Sequence, residues 1–442
     1  MDFEVEILAA GADPQKMEEL FLTANREDQS AAFSSALLSC YEKTPDNLLF
    51  GAWYYRLQED GDASARPRRS VNWIAAIVLS IISGLIFWAL SDVERLTVLD
   101  GIPQLLLWWS PIVTMSALIF LALTAKRNYV RAIALGLGLL ATSAYALLLA
   151  PNLEPSWLPE QFIIVAIIHI PLLCWIALGI SVLGFKSSTE DRFAFLKKSI
   201  EVMIVAGLYL IFGMIFGGIT MGMFAALNIS LPVILQRLIV AGGFGLLPVL
   251  AVATVYDPTK QPAEQDFDQG MSQFVATMMR LLLPLALVVL VIYVLVIPFF
   301  FLEPYENRDL LVVYNVMLFG IIGLLLGATP LRDDDISMQL QKWLRAGIIS
   351  VAILTVLISL YALSATFYRT FEGGLTLNRL TIVGWNIINI SILLWLIVRQ
   401  FKNGRDRWIA SLQSVFGGAA NAYMIWGLVL VIAVPLLFLL FG

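Results

Sequence analysis

Residues 66–90 read RPRRSVNWIAAIVLSIISGLIFWAL, and this stretch decides the fold. Its last 19 residues carry no charge, and one helical crossing of a bilayer requires about 20 predominantly apolar residues. Three arginines directly precede the apolar run, as is typical where a membrane helix starts at the cytoplasmic surface. The stretch therefore predicts a membrane-spanning helix.

Ten further apolar stretches follow in the 442-residue chain, and 59% of all residues are hydrophobic. This content is well above that of soluble domains. The alternation over about ten residues that marks a transmembrane β-strand is absent from the sequence. We therefore predict an all-α, polytopic membrane helix bundle of about eleven transmembrane helices. The predicted spans are residues 72–90, 104–124, 129–150, 161–184, 200–227, 229–256, 273–302, 308–328, 345–366, 377–398 and 419–441.

The basic residues between the spans predict the orientation. Eighteen lysines and arginines fall in one set of alternate gaps, and four fall in the other set. Because such residues gather on the cytoplasmic side, this split predicts a cytoplasmic N-terminus and an external C-terminus. The four on the external side are Arg95, Arg308, Arg369 and Arg379.

Residues 1–65 differ from the rest of the chain in charge. They hold 13 acids and four bases, a net charge of −9, whereas the whole chain carries −5. Asp13-Pro14 and Thr44-Pro45 each place an N-cap residue before a proline at the first helical position. We predict a small cytoplasmic helical domain with a basic linker over residues 1–70, followed by a transmembrane domain over 71–442. The domain is expected either to bind a protein partner through residues 1–65 or to act as a solubilising cap.

Side chains suited to metal binding or catalysis are scarce. His169 is the only histidine, which excludes a histidine-rich zinc site, and we expect a neutral, hydrogen-bonded imidazole there. The chain has no P-loop motif, and its basic residues are spread over separate loops. We predict no metal, no cofactor, no nucleotide site and no nucleic-acid partner. Membrane lipid is the expected partner.

Arg237 is the first candidate for a ligand-binding residue inside the membrane. It lies about eight residues into its predicted span, roughly 12 Å of helical rise from the external end. An arginine at that depth normally faces the bundle or a wet cavity. Its own span has no acid, so its partner is expected on another helix, at carbonyls freed near Gly242, Gly243 or Pro232, or on an anionic ligand. The alternative is that Arg237 lies higher and snorkels outward.

Small residues recur in the fifth and sixth spans. Close helix packing explains such residues in a membrane, and a glycine-interrupted helix that lines a transport site is the alternative. We favour packing. The residues are Gly213, Gly217, Gly218, Gly222, Gly242, Gly243, Gly245 and Pro248.

Two short external gaps, residues 303–309 (EPYENRD) and 369–379 (RTFEGGLTLNR), are dense in polar groups. Thr376 is predicted to be an N-cap, which places Arg379 in the first turn, where a cation opposes the helix dipole. We therefore predict that Arg369 or Arg379 pairs with a carboxylate; the alternative is that both arginines hold an anionic headgroup. The candidate carboxylates are Glu303, Glu306, Asp309 and Glu372.

The second of these gaps resembles a motif of the bacterial membrane-protein family known as domain of unknown function 4153. That motif is Arg-Ile-x-x-Tyr-Gly-Leu-Thr-x-Asn-Arg between two membrane helices, and Thr370 and Gly373 replace its isoleucine and tyrosine. The likeness extends more loosely over about residues 200–400. It implies a bacterial inner membrane and adds Asn378 to the candidate ligand-binding residues, but it implies no activity. The matching residues are Arg369, Gly374, Leu375, Thr376, Asn378 and Arg379.

Three classes of function fit these features, in this order of preference. A transporter or flippase for a small or lipidic solute fits the helix number, the glycines and Arg237. A regulatory or scaffolding protein fits the N-terminal domain. A membrane enzyme acting on a lipid-linked substrate would use the external carboxylates, which qualify by residue type alone, so we favour a protein that is not an enzyme.

The charge split leads to a prediction about reporter fusions. A C-terminal alkaline phosphatase fusion is expected to be active and a C-terminal green fluorescent fusion dark, because the phosphatase needs the disulfides that form outside the cytoplasm. Activity and fluorescence of cells that express each fusion are the measurements. The opposite result would indicate an even number of crossings, with the fifth and sixth spans merged across residues 228–232.

Overall fold

A computed structural model describes residues 3–26, 29–64, 71–99, 101–184, 186–267, 270–332, 335–404 and 407–441. The side chains of residues 25, 26, 30, 31, 58–64, 308 and 441 are not described. The chain divides into two compact units, Met1–Ser70 and Val71–Gly442. Part of the predicted orientation signal lies outside the described residues, namely Arg66, Arg68, Arg69 and Arg405.

The first unit consists of four helices with their own apolar core. Phe33 is fully buried and packs edge-on against Phe3 and Trp53. Asp13 caps α2 as predicted, accepting from the backbone N–H groups of Gln15 and Lys16 at 3.1 and 3.2 Å. The helices are α1 (Phe3–Ala9), α2 (Pro14–Arg26), α3 (Ser30–Lys43) and α4 (Leu48–Ser64).

The prediction that Thr44 caps the last of these helices is wrong. Thr44 ends α3, where its backbone N–H donates to the Cys40 carbonyl. The N-cap is Asn47, whose Oδ1 accepts from the N–H groups of Leu49 and Phe50 at 2.9 and 3.3 Å. An asparagine three residues further on offers the same acceptor with less steric restriction than a β-branched threonine.

The second unit contains eleven helical segments that are long and apolar enough to cross a membrane, counted over the described residues. This confirms the predicted all-α membrane bundle, and the protein is an integral membrane protein. The helices are α5 (Trp73–Leu90), α6 (Leu105–Ala125), α7 (Tyr129–Leu149), α8 (Leu158–Leu183), α9 (Thr189–Ala226), α10 (Val233–Arg237), α11 (Gly243–Val255), α12 (Gly270–Val296), α13 (Glu303–Glu306), α14 (Arg308–Ala328), α15 (Met338–Gly373), α16 (Leu377–Lys402), α17 (Trp408–Leu428) and α18 (Val434–Phe441).

Some spans combine or connect shorter elements. A π-helical turn, Leu238–Gly242, joins α10 to α11, and a second one, Val429–Ala433, joins α17 to α18. Strands β1 (Thr97–Val98) and β2 (Ile102–Pro103) form an antiparallel hairpin between α5 and α6. Each full crossing takes the chain to the opposite end of the bundle, so successive connections alternate. We call the end with the basic gaps the basic end and the other the far end; the charge split predicts that the basic end is cytoplasmic.

α9 is longer than the sequence predicted. It begins at Thr189 instead of residue 200, because Ser188 accepts from the Asp191 N–H at 2.9 Å and Glu190 and Asp191 occupy its first turn. A hydroxyl cap and acidic residues both stabilise a helix start. As a result Lys197 and Lys198, which the sequence placed in a loop, are part of a membrane-crossing helix.

α5 and α11 approach each other so closely that their backbones touch. A Cβ at Gly245 would lie 2.7 Å from Gly84 Cα, and a Cβ at Gly84 would lie 2.7 Å from the Gly242 carbonyl oxygen. The packing interpretation therefore holds for Gly242 and Gly245. It does not hold for Gly218, where a Cβ would meet nothing within 4 Å.

His169 is buried between α8 and α16, as a hydrogen-bonded side chain. Its Nε2 accepts from Trp385 Nε1 at 2.8 Å, so its proton is on Nδ1, which donates to the Val165 carbonyl at 2.7 Å. An imidazole with one accepting and one donating nitrogen is neutral. The contact ties two spans together, which is a structural role.

The glycine contact leads to a stability prediction. Gly245→Ala is expected to lower stability by about 1–3 kcal/mol, because the new methyl group forces α5 and α11 apart. The measurement is the thermal unfolding midpoint of the purified protein in detergent. Gly243→Ala is the matched control, since a Cβ there would meet nothing within 4 Å. Equal midpoints for the two variants would contradict the prediction.

Candidate functional site

Arg237 lies nearer the far end than the sequence predicted. Its span begins at Val233, because residues 228–232 form a turn with Asn228 at φ 50°. Arg237 is therefore the last residue of α10, about 6 Å of helical rise from the start of the helix. The predicted depth of eight residues is wrong, since it counted the turn as helix.

The Arg237 guanidinium binds the end of a neighbouring span. Its Nε donates to Ser91 Oγ at 3.0 Å, Nη1 to Asp92 Oδ2 at 3.1 Å and Nη2 to the Trp88 carbonyl at 3.0 Å. The Arg237 and Asp92 side chains are 24% and 26% exposed. The partner thus comes from another helix and its loop, and the charge is compensated without a ligand. Asp92 was missed because the sequence shows no link between the first gap and the sixth span.

Arg369 binds backbone carbonyl groups instead of a carboxylate. Its Nη1 donates to the carbonyl oxygens of Tyr305 and Glu306 at 3.2 and 2.9 Å, at the end of α13. These carbonyls have no partner within their own helix, and a cation near a helix C-terminus is favoured by the dipole. The structure therefore does bring residues 303–309 and Arg369 together, but through the main chain.

Arg379 also binds a helix end, folding back onto the carbonyl of Gly374, which has φ +76°. A Cβ at Gly373 would lie 2.8 Å from Arg379 Nη1, so this glycine leaves room for the side chain. Thr376 accepts from the Arg379 N–H at 3.3 Å, which confirms the predicted N-cap. The Asn378 N–H faces Gln161 Oε1 at 3.4 Å.

The predicted arginine–carboxylate pairing is wrong. Among the described side chains, no carboxylate lies within 4.0 Å of the Arg369 or Arg379 guanidinium. Glu372 accepts instead from the Tyr368 hydroxyl at 3.0 Å. All four candidate carboxylates are exposed, and the described part of the chain holds no group of three or more His, Cys, Asp or Glu residues suited to a metal ion. The four are Glu303, Glu306, Asp309 and Glu372.

A cleft of about 670 Å³ lies between α5, α9 and α11. We call it the glycine cleft. Leu238 and Ile239, which follow Arg237 directly, are part of its wall, so it adjoins the far half of the bundle. The residues that define it include Gly84, Leu85, Gly217, Gly218, Ile239 and Leu246.

A second cleft, of about 700 Å³, lies between α9, α12 and α14. We call it the methionine cleft. α9 forms a wall of both clefts, and its far half is bare on one side: Phe212 and Phe216 are 66% and 73% exposed. Such apolar faces of a membrane-spanning helix contact lipid. The residues that define the methionine cleft include Ile200, Met203, Met279, Leu285, Met317 and Leu324.

Two cations from different spans, which the sequence did not predict to be close, meet at the basic end of α14. Lys197 Nζ donates to the Thr329 carbonyl at 2.7 Å, and Arg280 Nε donates to the Ala328 carbonyl at 3.4 Å. Both side chains are half-buried. Lys197 was counted among the loop charges, whereas Arg280 lies inside the predicted span 273–302, so nothing in the sequence places the two side by side.

Comparison of the chain with protein-family models, with curated proteins and with solved structures found no match in any of the three. The resemblance of residues 369–379 to domain of unknown function 4153 stays a prediction.

The ion pair at Arg237 leads to a prediction. In a double-mutant cycle of Arg237→Gln and Asp92→Asn, we expect a coupling energy of about 1–2 kcal/mol, since the pair is only a quarter exposed and a charge-assisted hydrogen bond joins it. Unfolding in detergent by heat or denaturant is the measurement. Additive effects of the two substitutions would show that the pair contributes nothing to stability.

Proposed function

We propose that this integral membrane protein moves a lipidic amphiphile between the two leaflets of a bacterial inner membrane. The observation that carries the proposal is the position of the two clefts along α9. The glycine cleft adjoins the far half of this helix, and the methionine cleft adjoins its basic half. An acyl chain therefore finds an apolar surface of the protein at both depths of the bilayer.

The chemistry of the cleft walls favours a lipid over a water-soluble solute. Thr220 is the one polar side chain among the described residues that line the two clefts, and its hydroxyl already donates to the Phe216 carbonyl at 2.8 Å. Sites for polar solutes carry several polar groups that fix the orientation of the ligand. Walls of this kind suit hydrocarbon.

Polar groups for a headgroup lie at the two ends of α9. Arg237 and Asp92 lie at the far end, next to the glycine cleft, and Lys197 and Arg280 lie at the basic end. A headgroup leaving either membrane surface thus meets charge where it enters the protein. We place the basic end in the cytoplasm, in line with the charge split.

A regulatory or scaffolding role is the second candidate. It is favoured by the first unit, which has its own buried core around Phe33 and Trp53 and a net charge of −9 over residues 1–65. A compact acidic unit of this kind suits a basic protein partner. The two candidates do not exclude each other.

Reconstitution into vesicles that carry a trace of headgroup-labelled fluorescent phosphatidylglycerol tests the proposal. Dithionite does not cross the bilayer, so it bleaches only the outer-leaflet label unless the protein exchanges lipid between leaflets. In vesicles that contain the protein, we expect dithionite to bleach more label than the outer leaflet alone holds. Gly218→Leu is expected to slow this phase several-fold, because the new side chain fills the glycine cleft, where a Cβ meets nothing within 4 Å.

Gly222→Leu is the matched control for this substitution. It adds the same bulk to α9 one turn further on, also with nothing within 4 Å of a Cβ, and Gly222 is not part of the glycine cleft wall. The proposal requires this variant to exchange lipid like the wild type. The proposal is wrong if the Gly218→Leu and Gly222→Leu variants exchange lipid at the same rate. It is also wrong if vesicles with folded wild-type protein show the same bleached fraction as vesicles without protein.

A further inference from the structure

Lys197 and Arg280 bring two positive charges side by side. They come from different spans, α9 and α12, and bind the adjacent carbonyls of Thr329 and Ala328 at 2.7 and 3.4 Å. Each uses one described hydrogen bond, whereas an ammonium and a guanidinium each have further N–H donors to offer. The arrangement therefore presents free donors as well as charge.

Among the described residues, the carboxylate of Asp335 acts on both cations, but only over a distance. Within the described ranges, no acid lies within 4.0 Å of Lys197 or Arg280. The Asp335 carboxylate also binds the main chain, since its Oδ2 accepts from the N–H groups of Leu331 and Arg332 at 2.9 Å. The C-terminus of α14 contributes a partial negative charge equivalent to only about half an elementary charge.

The neighbouring lysine shows the contrast. Lys198 Nζ donates to Glu201 Oε2 at 2.8 Å and to Ser272 Oγ at 2.7 Å, so a buried carboxylate balances it inside the protein. Two half-buried cations that share one distant carboxylate keep a net positive charge, which is unfavourable. An anion from outside the chain would remove the repulsion between Lys197 and Arg280.

Residues of the methionine cleft lie within about one helical turn of this pair, although neither cation lines the cleft itself. Ile200 and Ile204 follow Lys197 at the spacing that places residues on one face of a helix, and both line the cleft. Met279, which precedes Arg280, lines it from α12, and Leu324 lines it one turn before Ala328. An apolar groove of about 700 Å³ thus extends from within a turn of the two cations toward the middle of the membrane.

We infer that Lys197 and Arg280 bind the phosphate of a glycerophospholipid whose acyl chains lie in the methionine cleft. Two cations suit the phosphate oxygens, and the groove suits the hydrocarbon. The inference deepens the proposed function, because it gives the amphiphile a phosphate headgroup and its entry position at the basic end. Its test measures binding alone, so its failure is distinct from a failure of lipid exchange.

Native mass spectrometry of the purified protein in detergent tests the inference with two added lipids. Phosphatidylglycerol and a galactosyl diacylglycerol with the same acyl chains differ in the phosphate. The wild type is expected to bind the phosphatidylglycerol at least about tenfold more tightly, because the galactolipid lacks the phosphate that makes the charge-assisted contact. The double variant Lys197→Gln/Arg280→Gln is expected to lose this preference. Glutamine keeps an N–H donor for the carbonyls of α14, so the helix end stays capped.

Lys402→Gln/Arg407→Gln is the charge-matched control. Both residues lie at the basic end, both are exposed, and neither borders the methionine cleft. This variant is expected to keep the wild-type preference. The inference is overturned if the control loses the preference as well, if the Lys197/Arg280 variant retains it, or if the wild type binds the two lipids equally. The last comparison needs no variant and holds even if the substitutions impair folding.

Discussion

Carbonyl groups at the C-terminal ends of helices lack intrahelical donors, so they need partners from outside the helix. In this structure cationic side chains from other spans supply many of the missing donors. The residues that do so, with the carbonyls that they bind, are Arg237 with Trp88, Lys197 with Thr329, Arg280 with Ala328, Arg369 with Glu306, and Arg345 with Gln400. Each bond ties the end of one helix to a neighbouring span, so charge at the two membrane surfaces holds the lateral order of the bundle.

These bonds lie at the ends of the helices, so they do not hold the helices against each other in the middle of the membrane. α9 is held at its basic end by Lys197 and by Lys198, whose ammonium donates to Ser272 Oγ and to the Asp266 carbonyl. Its far half, in contrast, is bare on the side of Phe212 and Phe216. Helices in lipid gain little from covering apolar surface, because the acyl chains are as apolar as leucine. Open clefts beside α9 therefore cost little free energy.

Sequence reasoning succeeded where one local pattern decides the outcome. The apolar runs predicted the spans correctly, and the threonine before the tenth apolar run predicted the N-cap at Thr376 correctly. The depth of Arg237 was predicted wrongly, because hydropathy does not distinguish an apolar loop from the first turn of a helix. The partner of Arg369 was predicted wrongly, because a carboxylate was assumed. The acceptor was the end of α13, which has no residue-type signature. Lys197 and Arg280 were overlooked as a pair because their proximity depends on the packing of α9, α12 and α14.

The π-helical turn Leu238–Gly242 sets the rotation of α10, which carries Arg237, relative to α11. One extra residue in a turn rotates the following side chains by about 100° and shifts them by about 1.5 Å. The backbone contact at Gly84 and Gly245 fixes α11 against α5, so the orientation of Arg237 toward Asp92 depends on that extra residue. The length of this segment is therefore constrained, because adding or removing one residue would rotate the guanidinium away from Asp92.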